Sequence, residues 1–168
     1  MELFEAIQAR RSIRKYAASG KIPRTNIDRM LEAAMLAPSA CNSRPWEFFV
    51  VTNQAGREEL AALHPYAKHL KDACVGIVVC GRPDLQAGIG KGFWPQDCGA
   101  AIENLLLTAA DLGYGACWCG IYPNELLSMQ FGNYLQTDAV PMALITVGIP
   151  AEQPERRGFY DSERVHYL

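Results

Sequence analysis

The segment from residue 95 to residue 112 constrains the fold of this chain more than any other. Pro95 suits the first turn of a helix, and Gly113 is typical of the position just past a helix end. Over residues 98–112 the only polar side chains are Glu103, Asn104, Thr108 and Asp111. A helix that is apolar around most of its circumference has to be covered on nearly all sides. One small domain rarely covers a helix so fully, so the segment predicts a central helix with a second copy of the chain against it.

The rest of the hydrophobic pattern alternates helices with strands. Helices are predicted over residues 2–10, 56–63 and 123–131, and a further helix starts at Thr25 and stops before Pro38. Strands are predicted over 46–52, 74–81, 115–120 and 139–149. In the first helix we expect Leu3, Phe4 and Ile7 to form the buried side. The order of these elements predicts a three-layer α/β or α+β sandwich.

Three of the predicted elements carry further information. The strand 74–81 is nearly all apolar, which predicts a strand covered on both faces. Pro141 marks the strand 139–149 as an edge strand, because proline donates no hydrogen bond to a neighbour. The glycine-rich stretch 82–93 shows no periodicity and predicts a mobile loop, of a length that is usually functional or disordered.

Size and composition limit the class of protein. The chain has 168 residues, of which 49% are hydrophobic and 20% charged, so it suits one domain of 1–168 with a substantial core. The longest apolar runs, such as 48–51, are far shorter than the roughly 20 residues of a membrane span. Glu2 and Glu5 stand where an export signal would be basic. These features predict a cytoplasmic protein without a membrane segment.

Positive charge is concentrated near the start of the chain. Residues 1–29 contain seven Lys and Arg against three Asp and Glu, whereas residues 30–168 contain nine against fifteen. A basic segment on an acidic body predicts a docking place for an anion.

Six cysteines are present, at positions 41, 74, 80, 98, 117 and 119. Without an export signal they are interpreted as small buried hydrophobic residues rather than as disulfides. The alternative is a metal or redox site at Cys117 and Cys119. Their spacing differs from that of thioredoxin-like or zinc motifs and no histidine lies near them in sequence, so we expect no metal site.

Residues 10–14, Arg-Arg-Ser-Ile-Arg, follow the first helix. If the chain is extended there, Ser12 and Arg14 point the same way and can clasp a phosphate, while Arg10 or Arg11 closes from the helix end. Guanidinium groups match phosphate oxygens well. The alternatives are a solvated basic surface or a nucleic-acid contact.

Two further segments could contact a ligand. The loop 38–45 has a proline at each end, which can hold the Ser39 hydroxyl and the Asn42 amide in fixed directions. Gly120 ends a predicted strand, where a ligand could approach the backbone closely. For the loop 38–45 the alternative is an ordinary connection between a helix and a strand, and for Gly120 the alternative is a turn glycine. Residues 88–92 match neither a dinucleotide-binding nor a P-loop pattern, and hydrolase and metalloprotease motifs are missing from the sequence.

Taken in order, several segments resemble the nitroreductase family, flavoproteins that bind FMN between the subunits of a homodimer. They are residues 10–14 (RRSIR), 37–39 (APS), 42–46 (NSRPW), 94–97 (WPQD), 100–107 (AAIENLLL), 112–115 (LGYG), 118–120 (WCG) and 147–150 (VGIP). The resemblance covers essentially the whole chain. It implies an α+β, three-layer α-β-α sandwich with a central mixed, mostly antiparallel sheet, and a tail, residues 150–168, packed on the partner subunit.

The resemblance also implies which residues bind the cofactor. Arg10, Arg11, Ser12 and Arg14 would hold the phosphate and ribityl end, joined by an arginine of the tail, Arg157 in preference to Arg156. Pro38, Ser39 and Asn42 would come from the other subunit and border the ring, and Cys119 and Gly120 would lie near the flavin N5. Phe93 and Trp94 would stack on an aromatic substrate. Tyr66, Lys68 and His69 are further candidates without an assigned role.

The implied activity is an NAD(P)H-dependent oxidoreductase in which the flavin carries hydride to a nitroaromatic, quinone or related acceptor by a ping-pong mechanism. No catalytic side chain is required. The alternatives are a flavin-binding sensor or carrier that does not turn over, a relative that performs dehalogenation, dehydrogenation or flavin cleavage, and a nucleic-acid binder. We expect neither nucleic acid nor a membrane as partner.

Overall fold

A computed structural model describes residues 1–18 and 20–168. Within those residues the helices are α1 (Leu3–Ala9), α2 (Arg24–Met35), α3 (Gln54–Leu63), α4 (Trp94–Asp111) and α5 (Glu125–Leu135). The strands are β1 (Trp46–Val51), β2 (Val75–Gly81), β3 (Gly115–Gly120) and β4 (Val140–Gly148). Short 3₁₀ turns lie in the connections, including Lys68–Asp72 between α3 and β2.

The four strands form one sheet in the order β1-β2-β4-β3, and each neighbouring pair is antiparallel. A single parallel bridge, between Ser12 and Ala116, adds the extended segment after α1 to the edge of β3. The predicted mostly antiparallel sheet is therefore confirmed, and this bridge is its one parallel pairing among the described residues.

Two hydrophobic cores lie on opposite faces of the sheet, because successive residues of a strand point to opposite sides. Ile77 and Val79 of β2 pack with α2 and α4 on one face, and Val78 packs with α3 and α5 on the other. All seven residues of β2 are buried, as the apolar strand 74–81 predicts. The three-layer α-β-α sandwich is confirmed.

Helix α4 is the central helix expected from the sequence. It lies between the sheet and helices α1 and α2, and only Gln96 and Glu103 of its residues are exposed. Asn104 donates from Nδ2 to the Ala33 carbonyl at 3.0 Å and so ties α4 to α2. The chain alone therefore covers most of this helix, and a second subunit is not required for that purpose.

Two predicted elements need correction. β4 is a central strand rather than an edge strand, because β2 and β3 flank it. Pro141 is tolerated there because β3 pairs only as far as Ala143 and the register with β2 shifts between Val79 and Cys80. Helix α5 also begins later than predicted, at Glu125, where the Asn124 side chain accepts a hydrogen bond from the N–H of Leu127 at 3.0 Å.

The side of α1 that was predicted to be buried is exposed. Leu3, Phe4 and Ile7 are exposed, by 71, 67 and 48%, and only Ala6 is buried. The tail after β4 likewise exposes large apolar side chains, including Phe159 at 81% and Tyr167 at 91%. In a single chain these apolar side chains are exposed to solvent.

Among the described residues, no helix has the length and hydropathy of a membrane span. The cytoplasmic location stays a prediction.

Candidate functional site

The segment after α1 runs along the edge of the sheet in extended form. The N–H of Ile13 donates to the Ala116 carbonyl at 2.9 Å, and the Ile13 side chain is buried against Gly115. Because extended residues alternate in direction, burial of Ile13 turns Ser12 and Arg14 outward. Both of them are exposed, as expected.

These residues line a cavity of about 540 Å³ with part of the tail. Its lining is formed by Arg10, Arg11, Ser12, Arg14, Lys15, Glu152, Pro154, Glu155, Arg157 and Gly158. Five of the ten are basic and two are acidic, so the cavity is a positively charged place on an acidic chain. Arg157 lines it, whereas its neighbour Arg156 does not.

The hydrogen bonds of this cavity leave one buried donor free. Arg11 Nη1 donates to the Arg10 carbonyl at 2.6 Å, but Arg11 Nε is buried and has no hydrogen-bond partner. A buried guanidinium nitrogen without a partner is unfavourable. The basic side chains that line the cavity match the oxygen atoms of an anion. The chemistry of the lining therefore fits a phosphate group.

Glu152 is one of the residues of this cavity that were not predicted from the sequence. Its Oε1 accepts hydrogen bonds from the N–H groups of Arg14, at 2.6 Å, and Lys15, at 3.0 Å. The N–H of Arg14 is the main cause of a Glu152 pKa below its usual range. Glu152 thereby holds the start of the tail against the arginine segment. No local pattern could indicate a contact between residues 138 positions apart.

The loop 38–45 is held rigidly at the start of α4. Ser39 Oγ accepts from the N–H of Arg44 at 2.9 Å, and Asp97 Oδ1 accepts from the N–H of Ala40 at 3.0 Å. Asn42 has a φ of 51°, in the left-handed region that non-glycine residues rarely occupy, and both Cys41 and Arg44 share this conformation. Such strain persists only where surrounding contacts enforce it, and it is common at ligand sites.

A buried glutamine connects this loop with the segment 82–93. Gln86 Nε2 donates to Asp97 Oδ2 at 2.9 Å, and its Oε1 accepts from the N–H of Trp94 at 2.9 Å. Asp97 therefore joins both loops to the first turn of α4. Gln86 and Asp97 were absent from the predicted site residues because their pairing is a tertiary contact.

The two aromatic candidates of this region differ in accessibility. Phe93 is 47% exposed, but Trp94 is 8% exposed. The indole of Trp94 lies against Gly81 and meets the Tyr122 ring edge-on with 4.7 Å between centroids. Trp94 is thus a core residue in this chain, and Phe93 alone offers a ring to a ligand.

Gly120, at the end of β3, faces open space. It is exposed, and an added Cβ would meet no atom within 4 Å. Its carbonyl accepts a hydrogen bond from His64 Nε2 at 2.9 Å. The N–H of Tyr66 donates to His64 Nδ1, which assigns the proton to Nε2 and fixes the buried imidazole as a donor to Gly120. The strand end is therefore held firmly and accessible.

Beside Gly120, the Cys119 side chain points into the sheet face covered by α3 and α5. Its Sγ lies 3.8 Å from His69 Nε2, and Cys117 is on the same side of the strand. The neighbouring Cys119 thiol lowers the pKa of Cys117. Of the three candidates without an assigned role, His69 is placed at this cluster, while Tyr66 and Lys68 are exposed.

Comparison with known proteins gives a consistent result. The family model described as "Nitroreductase family" matches residues 7–65 and 64–149. A protein of Methanothermobacter thermautotrophicus, provisionally named NADH dehydrogenase/NAD(P)H nitroreductase, is 42% identical over 168 residues, covering 99% of this chain and 86% of that protein.

Solved structures agree with this. A crystal structure from Bacteroides thetaiotaomicron with the same provisional name has a TM-score of 0.90 at 36% identity, and covers 99% of this chain and 97% of that one. A provisionally named nitroreductase of Desulfovibrio desulfuricans, solved in complex with FMN, has a TM-score of 0.83 at 28% identity, with coverage of 100% and 97%.

Proposed function

Because the chain belongs to the nitroreductase family, we propose that it is an FMN-dependent oxidoreductase that takes electrons from NAD(P)H and delivers them to a nitroaromatic, quinone or related small acceptor. The two substrates use one site in turn, in a ping-pong mechanism. The observation that carries the proposal is the cavity lined by Arg10, Arg11, Arg14 and Arg157.

The cavity would hold the cofactor by its phosphate. Arg10, Arg11, Arg14 and Arg157 supply guanidinium donors, and Ser12 supplies a hydroxyl at the same wall. Hydrogen bonds to a charged group contribute about 1.5–3 kcal/mol each, so a few of them give substantial affinity for a dianion. Glu152 keeps Arg14 in place through the backbone, which leaves the Arg14 side chain free for the ligand.

The flavin ring would lie along the end of β3. Gly120 has no side chain and faces open space, so a planar ring can approach the backbone there. When bound, FMN supplies the redox chemistry, because its N5 accepts hydride and the reduced ring passes electrons on. The residues of the chain position the reactants: His64 fixes the Gly120 backbone, and Phe93 offers an aromatic surface to a substrate.

We further propose that two chains share each cofactor. In one chain the loop with Pro38, Ser39 and Asn42 lies at the start of α4. A second cavity, which includes Arg10 and Arg11, extends to Ala110 near the end of the same helix. About 13 residues of helix separate these places, or roughly 20 Å along the axis. A loop from the partner subunit could border the ring beside the phosphate cavity of the first chain.

Exposed apolar surface supports this dimer. Leu3 of α1 and Leu36 at the end of α2 line a groove of about 490 Å³ with Leu107 of α4. Arg29, Glu32 and Asp111 also line this groove, so exposed leucines lie there beside charged groups, as in an interface with an apolar centre and a polar rim. The tail 150–168 carries exposed aromatic side chains and would pack on the partner subunit.

The proposal is tested by the visible spectrum of the purified protein loaded with FMN under anaerobic conditions. Addition of NADH or NADPH should bleach the flavin absorbance, and a quinone or nitroaromatic compound should restore it. Double-reciprocal plots at several acceptor concentrations should be parallel. A flavin that stays oxidised with both nucleotides would instead indicate a binding module without turnover, and a chain that binds no FMN would exclude both functions.

A further inference from the structure

The cluster of His69, Cys117 and Cys119 is the one group of described residues in which three metal-binding side chains converge. Cys117 and Cys119 lie two residues apart on β3 and so share one face of the sheet. His69 belongs to the 3₁₀ turn Lys68–Asp72, which packs on that face. The sequence argued against a metal site because no histidine stands near the cysteines, but the fold brings one in from 48 residues before Cys117.

We propose that these three side chains form a binding site for a thiophilic metal ion of the d¹⁰ type, Zn²⁺ or Cu(I). Two thiolates and one imidazole form the donor set. Soft thiolate ligands select ions of this class over Mg²⁺ or Ca²⁺, which prefer oxygen. Upon binding, each cysteine releases its thiol proton to solvent and forms a bond from sulfur to the metal.

The distances suit one shared ion. With Zn–S bonds of about 2.3 Å and Zn–N bonds of about 2.0 Å, ligand atoms around a common ion lie roughly 3.5–4 Å apart. His69 Nε2 and Cys119 Sγ are 3.8 Å apart, and all three ligand atoms lie within 4.8 Å of one another. A small rotation of the side chains would bring them to bonding geometry.

The surroundings hold the ligands in place and leave a path for the ion. Leu70, next to His69, is fully buried and packs over Gly76, which anchors the turn to the sheet. Both sulfur atoms belong to buried residues, 1% and 6% exposed. His69 is half-buried beside the exposed Lys68, so an ion can enter from the imidazole side. Three protein ligands complete a Cu(I) site and leave one position for water on Zn²⁺.

The test measures metal binding by the FMN-loaded protein with reduced thiols. Zn²⁺ and Cu(I) are titrated separately in competition with a chromogenic chelator, and bound metal is counted after dialysis. We expect one ion per chain for at least one of the two metals. X-ray absorption at that metal's edge should show two sulfur ligands and one nitrogen ligand.

Substitutions assign the ion to the site. Cys117→Ser and His69→Ala should each weaken binding by at least about 100-fold, more than the 10–100-fold typical of losing an outer-shell partner. Cys41→Ser removes an exposed thiol outside the cluster, and His166→Ala removes an exposed histidine of the tail. Neither control should change metal affinity by more than about threefold.

Two results would overturn the proposal. One is binding of neither ion above the level of Cys117→Ser, which would leave a hydrogen-bonded thiol cluster without a metal. The other is binding that Cys117→Ser and His69→Ala leave unchanged. If Cys117→Ser fails to fold, His69→Ala still decides, because it alters a half-buried side chain in a short turn and spares the sheet.

Discussion

Arg156 and Arg157 give a matched pair of substitutions for testing the phosphate site. Both are exposed tail residues, but Arg157 lines the arginine cavity and Arg156 does not. Arg157→Ala and Arg156→Ala therefore remove the same side chain and the same charge from neighbouring positions. A difference between them measures contact with the ligand rather than net charge.

The expected magnitude follows from the bonds available to Arg157. A charge-assisted hydrogen bond to phosphate contributes about 1.5–3 kcal/mol, and each 1.4 kcal/mol changes a Kd tenfold. Because Arg157 is exposed in one chain, solvent screening favours the lower end of the range. We expect Arg157→Ala to raise the Kd for FMN by about tenfold. Arg156→Ala should change it less than about threefold, because Arg156 does not line the cavity and its exposed charge is screened by solvent.

The assay is a fluorescence titration of the flavin-free protein with FMN and with riboflavin, which lacks the phosphate. Arg157→Ala should weaken FMN binding and leave riboflavin binding unchanged. Equal effects of the two substitutions on FMN would refute the assignment of Arg157. An equal loss of riboflavin affinity would show that Arg157 acts on the ring or on the fold instead of the phosphate.

Three further predictions concern the ring site, the dimer and the core. Gly120→Ala should leave the unfolding midpoint of the flavin-free protein unchanged or slightly raised, because a Cβ at this position meets open space. The same substitution should weaken FMN binding. An FMN affinity equal to that of the unsubstituted protein would exclude ring contact at Gly120. Phe4→Glu should shift the mass in sedimentation equilibrium from twice 18.6 kDa towards 18.6 kDa. The control Leu126→Glu, at an exposed position of α5 in the opposite helix layer, should leave the mass unchanged. A dimer unaffected by Phe4→Glu would remove α1 from the interface. Burial raises the pKa of Cys98 to about 12, so iodoacetamide at pH 8 should label Cys41 and spare Cys98, and rapid labelling of Cys98 would contradict its burial. Since an unfolded thiol ionises near 9.0, Cys98 should leave the free energy of unfolding constant below that pH and lower it between pH 9 and about 12.

The sequence predicted the fold well where periodicity and composition act locally. The apolar strand 74–81 and the nearly apolar helix α4 both indicated burial on all sides, and both are buried. The prediction from the sequence failed where it depended on which surface covers an apolar side chain. The apolar stripe of Leu3, Phe4 and Ile7 predicts an amphipathic helix, but periodicity does not say whether its own domain or another chain covers that stripe.

The candidate site shows the same division. The arginine segment was predictable because guanidinium groups and phosphate match chemically and the residues are adjacent. The contacts of Glu152 with Arg14, of Gln86 with Asp97 and of His69 with Cys119 were not predictable, because each joins distant parts of the chain through packing. The central position of β4 was missed for a related reason. The pairing of β4 with β3 stops at Ala143 and does not reach Pro141, and the register between β4 and β2 shifts beside this proline.

The central claim is that two chains hold one FMN by its phosphate at the arginine cavity. A crystal structure of the protein with FMN tests it most directly. We predict the phosphate among Arg10, Arg11, Arg14 and Arg157, the ring beside Gly120, and the loop 38–45 of a second chain over the ring. A phosphate outside this cavity, or an FMN enclosed by a single chain, would contradict the account.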